Sequence, residues 1–168
     1  PDLFWKANAE ACKIWGRGFS FDRFASASQV QPMNCNWKLP FASRYHSAFA
    51  SATDAFTQDW SGFVNWINAP FGVLGKVLSL MRLQRVCGVL VTPRCWGGSR
   101  HWWTHEIEPR SEGVVLRLDF HPSDYRCKPF HAEVDVEPRR RGLSLVFLDF
   151  RRRADDDGFR GEPAEIVY

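Results

Sequence analysis

Residues 63–93 read FVNWINAPFGVLGKVLSLMRLQRVCGVLVTP, and this stretch decides the fold. Its first residues, FVNWI, are rich in β-branched and aromatic side chains, and Pro70 prevents a strand from continuing. Apolar side chains then recur at helical spacing, and residues 88–93 (GVLVTP) form the short apolar run of a buried strand. The stretch therefore predicts a strand over residues 63–68, a helix over residues 72–87 and a second strand parallel to the first. This is a βαβ unit.

The N-terminal segment predicts a helix followed by a strand. Apolar residues between Leu3 and Trp15 recur at helical spacing, with Asp2 placed to cap the start and Gly16 or Gly18 placed to end the helix. Residues 19–24 (FSFDRF) then alternate apolar with polar side chains, which is the pattern of a strand.

The remaining segments predict more of the same sheet. Residues 29–53 contain prolines and no sustained period, so we expect a long surface excursion there. Strand-like runs occupy residues 114–120 and 143–150, and residues 166–168 form a short one. Because no repeat or linker divides residues 1–168, we predict one α/β domain.

Composition narrows the class of protein. The 168 residues are 45% hydrophobic and 24% charged, as in globular domains. The net charge of +3 is compatible with nucleic acid, and the 15% of aromatic residues would suit base stacking. Five cysteines without a CxxC pair argue against a disulfide framework and favour an intracellular, reducing compartment. The sequence has neither a long apolar run nor a leader-like start, so we expect no membrane partner. Since it begins with Pro1 and not with an initiator Met, we expect a piece of a longer polyprotein or assembly.

The tetrapeptide Asn68-Ala69-Pro70-Phe71 carries the most chemical information. It lies at the end of a predicted strand and the start of a predicted helix, and ligands in open α/β sheets bind beyond the carboxyl ends of strands. The exocyclic amine of a base has two N–H bonds, which the Asn68 side-chain oxygen and the Ala69 carbonyl can accept. The Phe71 ring can stack on a base that has been turned out of its duplex.

Several segments together resemble a known family. They are residues 21–26 (FDRFAS), 54–62 (DAFTQDWSG), 65–71 (NWINAPF), 90–93 (LVTP) and 102–103 (WW). In this order and spacing they resemble the phage-type Dam DNA N6-adenine methyltransferase domain, in the version that follows the reverse transcriptase and ribonuclease H regions of DIRS-like tyrosine-recombinase retroelements. The resemblance covers residues 19–103, and residues 104–168 lie outside it.

The resemblance implies a Rossmann-like methyltransferase sheet with flanking helices that binds S-adenosylmethionine. Asp22 matches the acidic position after the first strand, and Asp54 or Asp59 lies near the adenosine of the cofactor. Two departures point to weakened or lost catalysis. Ala69 replaces the first proline of the family's Asn-Pro-Pro motif, and no Gly-x-Gly loop follows the first strand. If the domain is active, the resemblance implies methyl transfer to the N6 of adenine in DNA.

Two other functions compete with this one. A noncatalytic interaction or structural module of a larger assembly would keep the same fold. A ribonuclease H-like nuclease would need carboxylates for two metals, which Asp22, Asp54, Asp59 and Asp119 could supply, but no strand opens with the expected Thr-Asp-Ala pattern.

Three smaller patterns carry less weight. His101 and His105 have the spacing of a metal pair on a helix, but no third ligand follows, so we predict no metal site. Cys95 has no assignable catalytic partner and is expected to be a structural thiol. The arginine triplets at residues 139–141 and 151–153 could bind phosphates or pair with neighbouring acids.

Overall fold

A computed structural model describes residues 2–25, 39–94, 102–121, 142–151 and 165–167, with backbone alone for residues 2, 102–104 and 165–167. Along the chain these residues form α1 (Asp2–Trp15), β1 (Phe21–Asp22), β2 (Ala42–Ser43), β3 (Ala52–Thr53), β4 (Val64–Ile67), α2 (Leu74–Gln84), β5 (Cys87–Pro93), β6 (Val114–Phe120), β7 (Leu143–Asp149) and β8 (Glu165–Val167). Short 3₁₀ turns occur at Ala55–Thr57, Phe71–Val73 and Trp102–Ile107.

The central sheet is mostly parallel. Its order in the described residues is β1-β4-β5-β7-β6-β8. β1, β4 and β5 pair in parallel, and β7 runs antiparallel between β5 and β6. Since β7 is antiparallel to both neighbours, β6 points in the same direction as β1, β4 and β5. The carboxyl ends of these strands therefore meet at one edge of the sheet.

The small β2–β3 pair continues this sheet beyond β1. A parallel bridge joins Asp22 to Phe41, and the carbonyls of Pro40 and Ala42 accept hydrogen bonds from Asp22 and Ala25. The alternate carbonyls, of Phe41 and Ser43, accept instead from the β3 side of the chain. Because successive carbonyls of a strand point to opposite sides, β2 lies between β1 and β3. The spatial succession is β3-β2-β1-β4-β5.

Both faces of the sheet are covered by a helix. α1 buries Phe4, Ala7 and Ala11 against one face, in a cluster that includes Trp66 and Phe147. On the other face, α2 contributes its buried apolar side chains to a cluster that includes Ile67 and Leu90. β4 and β7 are almost wholly buried as a result, which is why their sequences are nearly continuous in apolar residues. None of the helices in the described part of the chain has the length and apolar character needed to cross a membrane.

The βαβ unit that the sequence predicts is confirmed, with β4 and β5 parallel and α2 between them. The helix is shorter than predicted and ends at Gln84. Arg85 adopts a left-handed conformation with φ 52°, and its N–H caps the helix by donating to the Met81 and Arg82 carbonyls. This turn returns the chain to the sheet so that β5 begins at Cys87.

Two predictions for the N-terminal half need correction. The predicted strand over residues 19–24 shrinks to Phe21–Asp22, because after the bond from the Arg23 N–H to the Trp66 carbonyl the next N–H, of Phe24, donates to the Asp22 carboxylate and not to β4. The predicted excursion at residues 29–53 contains β2 and β3, although residues 26–38 lie outside the described residues. Strands of two residues are too short to show a period in the sequence.

The predicted helix near the N terminus is confirmed, and a buried carboxylate attaches it to the sheet. Gly16 ends α1 with φ +72°, and the Trp15 indole donates to Asp149 Oδ2 at 3.0 Å. Arg151 holds the same carboxylate through Nε and Nη2 at 2.9 and 2.7 Å. Burial alone would raise the pKa of Asp149, but the hydrogen bonds from Arg151 and Trp15 outweigh it and the pKa is lowered.

Gly88 provides a test of the β4–β5 contact. A Cβ at Gly88 would lie 2.5 Å from the Asn65 carbonyl oxygen of the paired strand, so Gly88→Ala should lower the free energy of unfolding by about 2 kcal/mol. Gly72 has no atom within 4 Å of a Cβ built there, and Gly72→Ala should change stability by less than about 0.5 kcal/mol. Urea unfolding of both variants checks the pair. Equal stability of Gly88→Ala and Gly72→Ala would contradict the close approach.

The hydrogen bonds that Trp15 and Arg151 donate to the Asp149 carboxylate, called here the Asp149 clamp, predict a pH dependence of stability. Because the folded-state pKa is depressed, the clamp contributes its full stability above the unfolded pKa of about 3.9 and loses it as pH falls through the folded value. Asp149→Asn should cost about 2 kcal/mol at pH 7, and the difference from the native chain should shrink steadily below about pH 4. Unfolding at several pH values measures it, with Glu10→Gln of the exposed Glu10–Lys13 pair as a near-neutral control. A difference that does not vary with pH would exclude the clamp.

Candidate functional site

The predicted tetrapeptide lies at the carboxyl edge of the sheet, next to the end of β1. Asp22, the last residue of β1, is in register with Trp66 of β4, and Asn68 follows two residues later. Because β1 and β4 are parallel neighbours, the structure places Asp22 and the turn at residues 68–71 at the same edge. This agrees with the position that the sequence predicts for them.

The turn at residues 68–71 presents polar acceptors and an aromatic ring to solvent. Pro70 has extended backbone angles of φ −55° and ψ 140°, and its carbonyl accepts the Val73 N–H that opens the 3₁₀ turn. Asn68 is exposed, and the Phe71 ring is 41% exposed. Neither the side-chain amide of Asn68 nor the backbone carbonyl of Ala69 hydrogen-bonds to another residue in the described part of the chain. The turn can therefore accept hydrogen bonds from both N–H groups of an amine, next to the Phe71 ring.

The loop that follows β1 is committed to the fold. Asp22 is buried, and its carboxylate accepts the Phe24 N–H at 3.0 Å. The N–H groups of Arg23 and Ala25 donate to the carbonyls of Trp66 and Ala42 at 3.0 and 3.1 Å. Every backbone N–H of residues 23–25 is thus used internally. These residues do not form the open cradle of N–H groups that binds a carboxylate or phosphate.

Asp54 lies at the carboxyl end of β3 and serves as a cap. It has φ 52°, its N–H donates to the Ser43 carbonyl at 2.8 Å, and its Oδ1 accepts the Phe56 N–H at 3.0 Å. The residue is exposed, so its carboxylate keeps acceptor capacity toward solvent. Asp54 therefore shares the carboxyl edge of the sheet with Asp22, with β2 between their strands.

Asp59 makes no contact with Asn68 in the described part of the chain, although its backbone carbonyl accepts from Nη2 of Arg23, the residue after Asp22, at 3.4 Å. Its carboxylate accepts the Ser61 N–H and hydroxyl at 2.8 and 2.7 Å, and these bonds lower its pKa. The next residue, Trp60, accepts from Asn65 through its carbonyl and donates its N–H to Gln84 at the end of α2. These contacts place Asp59 near the amino ends of β4 and β5, away from the Asn68 turn.

The sequence prediction missed a buried arginine. Arg23 is only 1% exposed, and its Nε donates to Asn65 Oδ1 at 2.7 Å. The guanidinium also donates to Gln58 Oε1 at 3.1 Å and lies 4.1 Å from the Phe21 ring centroid. Burial lowers the pKa of Arg23 to about 10, partly opposed by the charge of Asp59, so the side chain stays charged at neutral pH.

Asn65 is the partner that makes this charge tolerable. It is fully buried, and while Oδ1 accepts from Arg23, Nδ2 donates to the Cys87 carbonyl at 2.8 Å and to the Trp60 carbonyl at 3.3 Å. The interaction ties the end of β1, the middle of β4 and the start of β5 together. A lone Asn inside the apolar run FVNWI was the available signal, since a buried amide needs partners.

The carboxylates proposed for a nuclease do not assemble. Asp119 on β6 pairs with Arg94 and Arg117, at 3.3 and 3.0 Å, and β4, β5 and β7 separate its strand from β1. Within the ranges that the structure describes, no group of three or more His, Cys, Asp or Glu side chains is placed to bind a metal ion.

The smaller sequence patterns fall partly outside the described residues. His105 contacts Glu108 at 3.2 Å, whereas His101 and Cys95 are outside. Residues 139–141 and 152–153 are also outside, and Arg151 of the second triplet binds Asp149. A comparison of the chain with protein-family models and with curated proteins finds no match.

The Arg23–Asn65 bond can be tested by a double-mutant cycle. Asn65→Ala leaves the buried Arg23 Nε without its acceptor and should cost about 3 kcal/mol. The double variant Arg23→Met, Asn65→Ala should cost at least about 1 kcal/mol less than the sum of the single variants, because both polar partners are then absent. Arg23→Lys should also destabilise the chain, since an ammonium cannot reproduce the divergent donors of a guanidinium. Strictly additive free energies of unfolding would disprove the coupling.

Proposed function

We propose that this chain is a DNA N6-adenine methyltransferase-like domain of the retroelement type, in which methyl transfer is absent or very slow. The observation that carries the proposal is the position of Asn68, Ala69 and Phe71 at the carboxyl end of β4, beside the end of β1. Ligand-binding residues in open α/β sheets lie at this position, where the strand order reverses.

The order of strands supports a Rossmann-like sheet. The succession β3-β2-β1-β4-β5 corresponds to the first five strands of the doubly wound order, in which the ligand lies across strands 1 and 4. The antiparallel β7 between β5 and β6 is an addition to that order. In this arrangement Asp22 and Asn68 flank the switch point.

The chemistry of the turn supports a base with an exocyclic amine as the target, and the resemblance makes that base adenine. Asn68 Oδ1 and the Ala69 carbonyl have no partner in the described residues, so both are available to an exocyclic amine. The Phe71 ring is 41% exposed and can contribute to stacking on a base outside its duplex. Base binding by this turn needs no rearrangement of the buried sheet.

The described residues fit S-adenosylmethionine less well than they fit a base. The N–H groups of residues 23–25 are all bonded within the fold, and no glycine there allows the close backbone approach that a cofactor needs. Ala69 also lacks the rigidity of the proline found in the family motif. A misplacement of about 1 Å in the acceptor carbonyl can lower a rate about a hundredfold. These features support the loss of turnover.

The same observation favours the second candidate function, a noncatalytic module of a larger assembly. A domain that keeps the base-binding turn but has a closed loop after β1 can bind a partner without reacting with it. Cofactor binding separates the two candidates, since a slow enzyme retains affinity for S-adenosylhomocysteine and a noncatalytic module does not.

Calorimetry and methyl incorporation test the proposal together. Titration with S-adenosylhomocysteine reports cofactor binding, and labelled methyl incorporation into adenine-containing duplex and single-stranded DNA reports turnover. We expect little or no incorporation by the native chain. Any residual activity should rise in Ala69→Pro, which stiffens the turn, and disappear in Asn68→Ala.

The outcomes are distinct. Robust turnover by the native chain that Asn68→Ala abolishes would overturn the loss of catalysis and leave a working enzyme. An absence of binding heat and of turnover in all three proteins would favour the noncatalytic module. Turnover that Asn68→Ala leaves unchanged would exclude the base-binding role of the turn.

A further inference from the structure

The connection between β2 and β3 displays aromatic and basic side chains that the fold does not use. Tyr45 is 71% exposed and Phe49 is 78% exposed, and Arg44 and His46 are exposed beside them. Two exposed rings on one short loop can form an interaction surface. We call residues 44–49 the aromatic loop.

The aromatic loop is braced by its own hydrogen bonds. The Ser43 hydroxyl donates to the Tyr45 carbonyl, and Ser47 Oγ and the Ser47 carbonyl accept the N–H groups of Phe49 and Ala50 at 3.3 and 3.1 Å. The Ser51 N–H returns the chain to β2 by donating to the Phe41 carbonyl at 2.9 Å. Rings on a braced loop lose less conformational entropy when a ligand binds.

The charge of the loop favours an anionic partner. Residues 44–53 contain one arginine, one histidine and no carboxylate, and the carboxylate of the next residue, Asp54, caps the following turn by accepting the Phe56 N–H. The Arg44 guanidinium carbon lies 5.2 Å from the Tyr45 ring centroid, so a cation and a stacking surface are presented together. Aromatic rings beside a cation form the usual platform for single-stranded nucleic acid, where bases stack and phosphates meet positive charge.

The position of the loop extends the proposed base-binding site. β2 is parallel to β1 through the Asp22–Phe41 bridge, so the aromatic loop leaves the sheet at the carboxyl edge, as the Asn68 turn does. We propose that the aromatic loop binds single-stranded nucleic acid by stacking bases on Tyr45 and Phe49 while Arg44 contacts phosphate. This inference rests on the proposed function and adds to it a docking surface and the strandedness of the partner.

The test is fluorescence anisotropy of a labelled 12-nucleotide oligothymidylate titrated with the native chain and its variants at low salt. Tyr45→Ala and Phe49→Ala should each weaken binding by about 5-fold or more, and Tyr45→Phe should keep most of the affinity. Arg44→Gln should lower the affinity and make it less dependent on salt. The slope of log K against log salt should become less steep by about 0.7. Trp5→Ala is the matched control, because Trp5 is a 55% exposed aromatic on α1, a helix that packs on a face of the sheet and is not part of the aromatic loop.

Three results would overturn the inference: no binding by the native chain, equal binding by Phe49→Ala and the native chain, or an equal loss in Trp5→Ala. Thymine has no exocyclic amine, so oligothymidylate binding does not use the Asn68 and Ala69 acceptors. If binding does not favour adenine-containing strands while Tyr45→Ala and Phe49→Ala still weaken it, the result contradicts the base-binding role of the Asn68 turn. The role of the aromatic loop is then unaffected. Because these side chains are exposed, circular dichroism should show unchanged folding in every variant.

Discussion

The buried hydrogen bond between Arg23 and Asn65 is the constraint on which the parallel part of the sheet depends. A guanidinium that is 1% exposed must find acceptors inside the protein, because removing a charge from water is costly without them. The Asn65 side chain supplies one acceptor through Oδ1, and its Nδ2 donates to the carbonyls of Cys87 and Trp60. One amide therefore sets the relative positions of β1, β4, β5 and the segment before β4.

This network connects the amino ends of β4 and β5 with the carboxyl end of β3, where Gln58 donates to the Thr53 and Asp54 carbonyls. The polar groups near the amino ends of β4 and β5 satisfy one another, and Gln84 adds the end of α2 by bonding to Gln58 and Trp60. At the carboxyl edge, the Asn68 turn and the aromatic loop face solvent instead. Binding at the carboxyl edge can thus proceed without breaking the interactions that hold the strands together.

The proposed loss of catalysis follows from how the end of β1 is built. The chain leaves β1 with a buried arginine, and the backbone N–H groups of residues 23–25 bond to β4, to Asp22 and to β2. These bonds stabilise the β2-β1-β4 arrangement and occupy the donors that an anionic or zwitterionic cofactor would use. Binding of such a cofactor would therefore compete with stability for the same backbone groups.

The sequence by itself determined the elements with long, clear periods: α1, α2, β5, β6 and β7, and the parallel β4–β5 pair that follows from a short crossover. It also placed Asn68 and Asp22 near the ends of strands, because prolines and alternation are local signals. Tertiary structure alone decided the two-residue strands β2 and β3, which have no period of their own and form through pairing with β1. It also decided the separation of Asp59 from Asn68 and the burial of Arg23. Distance and burial depend on which distant segments meet, and a charged side chain is buried only where another part of the chain supplies its partners.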